Sequence, residues 1–106
     1  MAYRVELSRR AQRDLEDIHE VVSGDESIAA AAWFEGLSDA LYSLERFPRR
    51  CPIAPDSKES EPELRHLLYG AKRNVYRVLF DIDESRKIVR IVTIRHGAMD
   101  EFPGVR

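Results

Sequence analysis

Prolines concentrate in one short stretch of the sequence and divide the chain into two parts of different character. Four of the five prolines lie between Pro48 and Pro62. Because proline fixes its own φ angle and has no N–H to donate, neither a helix nor a central strand can run through this stretch. Residues 8–47 before it carry apolar residues at helical spacing, whereas residues 64–96 after it are rich in β-branched and aromatic residues. The sequence therefore predicts helices first and a sheet afterwards, joined by an irregular connector.

The two parts are expected to form a single domain over residues 1–106. A chain of 106 residues with 43% hydrophobic residues can build one core, but two separate domains would be too small to stand alone. Each part by itself would also leave its apolar face in water. The predicted fold class is α+β, with an N-terminal strand and an α-helical hairpin packed on one face of an antiparallel sheet.

The chain is predicted to begin with a strand and a helix. Residues Tyr3–Leu7 alternate apolar and polar side chains, which indicates a short half-buried strand. Ser8 can then cap a helix that ends at Ser23-Gly24. The apolar residues of this helix fall at spacings of four, three and four, on one stripe: Ala11, Leu15, Ile18 and Val22.

A second helix is predicted to follow at once. Either Asp25 or Ser27 can cap it, and Pro48 ends it. Its apolar residues also form one stripe: Ala30, Phe34, Leu37, Leu41, Leu44 and Phe47. Because the link is short, the two helices should pack as an antiparallel hairpin. Trp33 and Tyr42 lie off the stripe, where they can either anchor a protein partner or pack against the connector.

Three strands are predicted in the second part, over residues 64–69, 74–83 and 87–96. Residues 83–86 are interpreted as a hairpin loop that places Ile82 opposite Lys87. One face of this hairpin is then almost wholly apolar and should take the helices: Tyr76, Val78, Phe80, Ile82, Val89 and Ile91.

The opposite face of the hairpin is predicted to carry both Arg77 and His96, with Arg73 across from His96 at the strand ends. This face also includes the following residues: Val75, Leu79, Asp81, Ile88, Arg90, Val92 and Ile94. A one-residue change in the register would separate Arg77 from His96. Polar residues there can also mean only that the face is open to water. A cation in so apolar a strand needs a partner, either Asp81 or an external phosphate.

Charge and cysteine content limit the possible settings of the protein. Seventeen Lys and Arg residues against 19 Asp and Glu give a net charge of -2, which does not indicate a nucleic-acid binder. Basic residues nevertheless cluster after the acidic stretch 56–63: Arg65, His66, Lys72, Arg73 and Arg77. One cysteine, Cys51, cannot form an internal disulfide or a cysteine-based zinc site, and the sequence contains no long apolar segment. We expect a cytoplasmic protein without membrane contact.

Several segments carry a family resemblance. They are Leu64-Arg65, the strand Tyr76–Phe80 and the terminal run Arg95–Ala98, after a helical hairpin and the sequence FPRRCP. In this order they resemble the RelE/ParE superfamily of toxins from type II toxin-antitoxin modules, which includes plasmid stabilisation proteins. The resemblance covers essentially the whole chain. It implies a toxin that a partner antitoxin neutralises by masking its active face.

The resemblance also implies functional residues. Superfamily members that cut messenger RNA on the ribosome hold the scissile phosphate with an arginine at the position of Arg77 and use basic or acid/base side chains near the sheet end. Arg77 and His96 are therefore the catalytic candidates. Weaker RNA-binding candidates are the basic residues Arg65, Lys72 and Arg73. Related chains often have an arginine where Met99 stands here, so one cation that could contact phosphate is absent.

The chemistry of RNA cleavage is compatible with these residues. Attack by the RNA's own 2′-hydroxyl requires a base, an acid and a cation for the developing charge, with no metal or other cofactor. Histidine titrates near neutrality, so His96 could act as base or acid, and Arg77 could stabilise the phosphorane. A second acid or base stays open among four residues: Tyr69, Lys72, Arg73 and Tyr76. Alternatively, His96 only ends its strand, and His19 and His66 are expected to be ordinary surface or packing residues.

Three functions remain open from the sequence. The first is a ribosome-dependent endoribonuclease toxin, an mRNA interferase. The near-neutral charge weighs against it, because a positive surface favours a grip on RNA. The second is a ParE-like inhibitor of DNA gyrase, which needs neither Arg77 nor His96. The third is a non-toxic homologue that only binds a partner.

Overall fold

The structure, a computed structural model, describes residues 2–24, 26–55, 57, 62–71 and 74–97. Its elements in chain order are β1 (Arg4–Leu7), α1 (Arg9–Ser23), α2 (Ile28–Tyr42), β2 (Arg65–Ala71), β3 (Asn74–Asp83) and β4 (Ile88–His96). Two short 3-10 turns, Ser43–Glu45 and Pro48–Arg50, follow α2. The predicted α+β class and element order are confirmed. Asp25, Lys72, Arg73 and Met99 lie outside the described residues.

The four strands form one mixed sheet in the order β1-β4-β3-β2. The pairs β2·β3 and β3·β4 are antiparallel, as predicted. β1, however, lies parallel to β4, with Val5 opposite Val89, so the sheet is not wholly antiparallel. Parallel neighbours need a long crossover, and the helices together with the other two strands provide it here. None of the helices in the described part of the chain is long and apolar enough to cross a membrane.

Serine residues begin both helices. The Ser8 hydroxyl accepts a hydrogen bond from the Ala11 N–H at 3.0 Å, and the Ser27 hydroxyl accepts one from the Ala30 N–H at 2.9 Å. The helices cover one face of the sheet, where a core of fully buried side chains forms: Leu37, Leu41, Leu44, Val78, Phe80, Val89 and Ile91. Most of both predicted stripes therefore faces the core.

Phe47 is an exception to the predicted stripe of the second helix. The helix ends at Tyr42, and Phe47 lies beyond it in a left-handed conformation with φ 48°. Its side chain is 81% exposed. The helical period no longer applies after the helix ends, so its continuation does not predict where this ring points.

The β3–β4 turn lies one residue later than predicted, over residues 84–87. Ile82 therefore pairs with Val89, not with Lys87, and Phe80 pairs with Ile91. The pairing differs from the prediction by two residues, which leaves each side chain on its predicted face. This part of the apolar face is confirmed.

A β-bulge then changes the faces in the second half of the hairpin. Phe80 pairs with Ile91, but its neighbour Leu79 pairs with Thr93, so Val92 is an extra residue. Beyond this bulge Tyr76 lies opposite His96. The prediction that Arg77 and His96 share a face is wrong, because one extra residue moves all later side chains of that strand to the other side.

Two more residues change face or partner beyond the bulge. Ile94 was predicted to lie on the face away from the helices. It lies across from Val78 instead and belongs to the core under the helices. Arg77 lies opposite Arg95. The bulge thus places a second arginine directly opposite Arg77.

Candidate functional site

The sheet face away from the helices carries Arg77, and we call it the Arg77 face. β2 contributes His66 and Leu68 to this face, since Leu68 lies opposite Arg77 and His66 lies opposite Leu79. β4 contributes Arg95 on the other side of Arg77. Three neighbouring strands thus bring two guanidinium groups and one imidazole to the same surface.

The centre of this face is buried, which argues against the alternative that its polar residues only face water. Arg77 is 5% exposed, Leu79 3% and Asp81 7%. Asp81, one of the partners predicted for Arg77, accepts a hydrogen bond from Arg90 at 3.2 Å. Arg90 lies directly opposite it across the hairpin. The carboxylate therefore forms a cross-strand ion pair with Arg90.

His66, which the sequence predicted to be an ordinary surface or packing residue, lies beside Arg77. Its Nδ1 lies 3.5 Å from Nη2 of Arg77. Because a guanidinium can only donate, Nδ1 of His66 is the acceptor in this contact. The signal that could have located His66 is the alternation along β2, whose even-numbered residues share the Arg77 face once β2 pairs antiparallel with β3.

His96 belongs to a row of aromatic rings on the helix face. Its ring meets Tyr76 edge to face, with centroids 4.9 Å apart. Tyr76 in turn contacts Trp33 at 5.4 Å, and Trp33 contacts Tyr69 at 5.2 Å. Trp33 therefore packs on the sheet. The site that was predicted to combine His96 with Arg77 is divided by the sheet.

Tyr69 and Tyr76, two of the predicted acids or bases, also lie on the helix face. The Tyr69 hydroxyl donates to the Trp33 carbonyl at 2.7 Å. Burial, and to a lesser extent the nearby Asp39 carboxylate, raises the pKa of Tyr69. The hydroxyl lies against Gly36, where a side chain of any size would collide with it. Tyr69 is thus held by the second helix, away from Arg77.

Arg65, a weaker RNA-binding candidate, connects β2 to the connector. Its Nη1 donates to the Cys51 carbonyl at 2.7 Å, and its Nη2 lies 3.2 Å from the Glu63 carboxylate. The backbone of the connector adds to this link, since the His66 N–H donates to the Pro52 carbonyl. These contacts hold the connector along the outer edge of β2.

Cys51 belongs to that connector, and it is buried, with 4% of its surface exposed. Burial raises the pKa of its thiol, and the cations Arg50 and Arg65 only partly oppose this effect. A buried thiol with a raised pKa is a poor nucleophile at neutral pH. Cys51 is therefore a packing residue.

Solved structures with the same fold come from toxin-antitoxin systems. The chromosomal ParDE system from P. aeruginosa matches with a TM-score of 0.65 at 17% identity, covering 90% of this chain and 96% of that chain. A mutant of the E. coli toxin RelE in the free state has a TM-score of 0.59 at 17% identity, over 91% and 84%. The RelBE2 complex from Mycobacterium tuberculosis has a TM-score of 0.57 at 20% identity, over 92% and 100%.

Sequence comparison identifies the family directly. No curated protein matches the sequence at a significant level. The family profile described as "ParE toxin of type II toxin-antitoxin system, parDE" matches residues 5–101, nearly the whole chain. Together with the fold, this match shows that the chain belongs to the ParE toxin family of type II toxin-antitoxin systems, within the RelE/ParE superfamily.

Proposed function

We propose that the protein arrests growth by binding and inhibiting DNA gyrase, without nuclease chemistry, and that a cognate antitoxin neutralises it. The observation that carries this proposal is the bulge at Val92, which puts His96 on the opposite side of the sheet from Arg77. The name of the matching family points in the same direction.

The described residues supply few groups for cutting RNA. Cleavage through a 2′-hydroxyl needs an acid and a base on either side of a phosphate that a cation holds. Tyr69, Tyr76 and His96 all lie on the helix face, so none of them can act on a phosphate held by Arg77. A toxin that works by binding a protein target requires no such constellation.

Messenger RNA cleavage on the ribosome is the second candidate, and one contact favours it. His66 lies on the Arg77 face with its ring nitrogen 3.5 Å from the Arg77 guanidinium. In this alternative His66, not His96, is the acid or base, and Arg77 and Arg95 hold the phosphate. The two candidates therefore differ in whether toxicity depends on His66.

The proposed antitoxin partner follows from the family. The similar structures of ParDE and RelBE are toxin-antitoxin systems or complexes. Both proposed targets, gyrase and the ribosome, are cytoplasmic, which is the location that the lone cysteine predicts.

The first experiment compares the two targets with purified protein. We expect the chain to inhibit DNA supercoiling by gyrase, and expect added antitoxin to abolish the inhibition. Cells that express the chain alone should filament and show DNA damage, with intact messages. His66→Gln should retain this activity, and Arg13→Gln on the exposed face of α1 is a matched surface control.

Two results would change the conclusion. Messages cut on ribosomes by the wild type but not by His66→Gln, with unaffected supercoiling, would establish the second candidate. Normal growth and normal supercoiling with abundant folded protein would leave only the non-toxic partner-binding homologue.

A further inference from the structure

The turn that follows the second helix presents an aromatic side chain to solvent. Phe47 is 81% exposed and has φ 48° and ψ 55°, in the left-handed region that bulky residues rarely adopt. Pro48 follows it, and a proline normally makes the preceding residue extended. Phe47 thus combines backbone strain with an exposed apolar ring.

Arg50 holds this turn in place. Its guanidinium donates to the Arg46 carbonyl at 2.6 Å, to the Phe47 carbonyl at 3.2 Å and to the Ser43 hydroxyl at 2.8 Å. Pro48 is fully buried beneath the turn. The surrounding contacts therefore maintain the strained conformation, as is common at functional sites.

A hollow of about 550 Å³ opens beside the Phe47 ring. Tyr3 and Phe47 contribute apolar surface to it, and Arg46, Arg49 and Lys87 line it with cations. We call this the Phe47 hollow. None of its lining residues comes from β2 or β3, the strands that carry His66 and Arg77.

One carboxylate balances part of this positive charge. Glu84 accepts a hydrogen bond from the Tyr3 hydroxyl at 2.7 Å and lies 3.0 Å from Arg49 and 2.8 Å from Lys87. Arg46 is exposed and forms no ion pair within the part of the chain that the structure describes. The hollow thus has three cationic side chains and one neighbouring carboxylate, so its net charge is positive.

We propose that the Phe47 hollow binds a segment of the antitoxin in which an apolar side chain lies next to acidic ones. The apolar side chain would pack against Phe47, and a carboxylate would pair with Arg46. This inference rests on the proposed function, because it names the surface that the antitoxin occupies. A large exposed apolar side chain is typical of a surface that a protein partner covers. An antitoxin would cover it for as long as the toxin is neutralised.

The same surface is poorly suited to nucleic acid. Single-stranded binding sites combine several stacking rings with several available cations. Here the Lys87 ammonium lies over the Tyr3 ring, 5.1 Å from its centroid. One face of that ring is therefore not available for stacking with a base. Arg49 and Lys87 are already paired with Glu84. Among the described residues of the hollow, one available ring and one arginine outside any ion pair favour a protein segment.

The test is titration calorimetry of the purified chain with the protein encoded by its adjacent antitoxin gene. Phe47→Gly removes the ring and relieves the left-handed strain, so it should weaken binding by about tenfold or more and raise Tm by a few degrees. Arg46→Glu should weaken binding by about tenfold through charge reversal. Val21→Ala, another exposed apolar residue, and Arg13→Glu, the same charge change on α1, are the matched controls.

Each other outcome overturns the inference. Unchanged antitoxin affinity in Phe47→Gly and Arg46→Glu would show that the antitoxin does not occupy the hollow. Intact antitoxin affinity combined with lost gyrase inhibition, or with lost binding of a labelled single-stranded RNA, would assign the hollow to that other ligand. If the wild type itself did not bind the antitoxin protein, the proposed function would fail as well.

Discussion

Tyr76 and His96 lie directly opposite each other on β3 and β4, with ring centroids 4.9 Å apart and ring planes at 86°. This edge-to-face contact places the imidazole on the helix side of the sheet. Its position results from the single extra residue at Val92. The role of His96 is therefore best tested by measuring the stability and the toxicity of a His96 variant separately.

His96→Gln should reduce stability without abolishing toxicity. The ring contact with Tyr76 is lost, and aromatic pairs of this kind contribute about 0.5–1.5 kcal/mol. Urea unfolding measures the loss, and growth after induction measures the toxicity. Loss of toxicity in a variant as stable as the wild type would restore His96 as a functional residue.

Gly36→Ala should destabilise the protein although alanine favours helix. The new methyl group would meet the Tyr69 hydroxyl, and overpacking of this kind costs about 1–3 kcal/mol. In the double variant Gly36→Ala with Tyr69→Phe the obstructing hydroxyl is gone, so most of the loss should be recovered. Thermal unfolding of the wild type, both single variants and the double variant tests this prediction. If the stability losses of the two single variants simply add in the double variant, the proposed collision is contradicted.

Asp14→Ala should destabilise the contact between the first helix and β4. The Asp14 carboxylate accepts hydrogen bonds from the Thr93 hydroxyl at 2.7 Å and from the Ile94 N–H at 3.0 Å. Without it both donors lose their acceptor, which costs about 1–3 kcal/mol for a buried group. Asp14→Asn keeps an acceptor oxygen and should lose less in chemical denaturation. Equal losses in the two variants would contradict this explanation.

Glu84→Gln should alter the acid dependence of stability. Hydrogen bonds from Lys87, Tyr3 and Arg49 lower the Glu84 pKa from 4.5 to about 2. A lowered folded-state pKa stabilises the fold above the unfolded pKa, and this stability is lost as pH falls toward the folded value. The urea midpoints of wild type and variant should therefore differ most above pH 4.5 and converge toward pH 2. Because the group is exposed, added salt should reduce the difference.

Much of the fold could be predicted from local patterns. The cap at Ser8, the cap at Ser27 as one of two candidates, the apolar stripes of both helices and the alternation along β3 all depend on near neighbours in the sequence. The family resemblance rests on the same local segments, and the family match confirms it. Of the candidate site, Arg77 was correctly assigned to the face away from the helices.

The rest was decided by contacts between distant parts of the chain. Whether β1 pairs parallel or antiparallel with β4 depends on the path of the chain between the two strands. The residues of β1, Arg4–Leu7, do not specify this direction. The bulge at Val92 moves His96 to the other side of the sheet. The sequence around Val92 looks like that of a regularly paired strand, so it does not reveal the bulge. His66 reaches Arg77 only through the pairing of β2 with β3. The sequence by itself determined which elements form and which family the chain resembles, because those depend on near neighbours. The tertiary structure alone decided which side chains meet, because strand register is set by pairing across the sheet and changes face with a single extra residue.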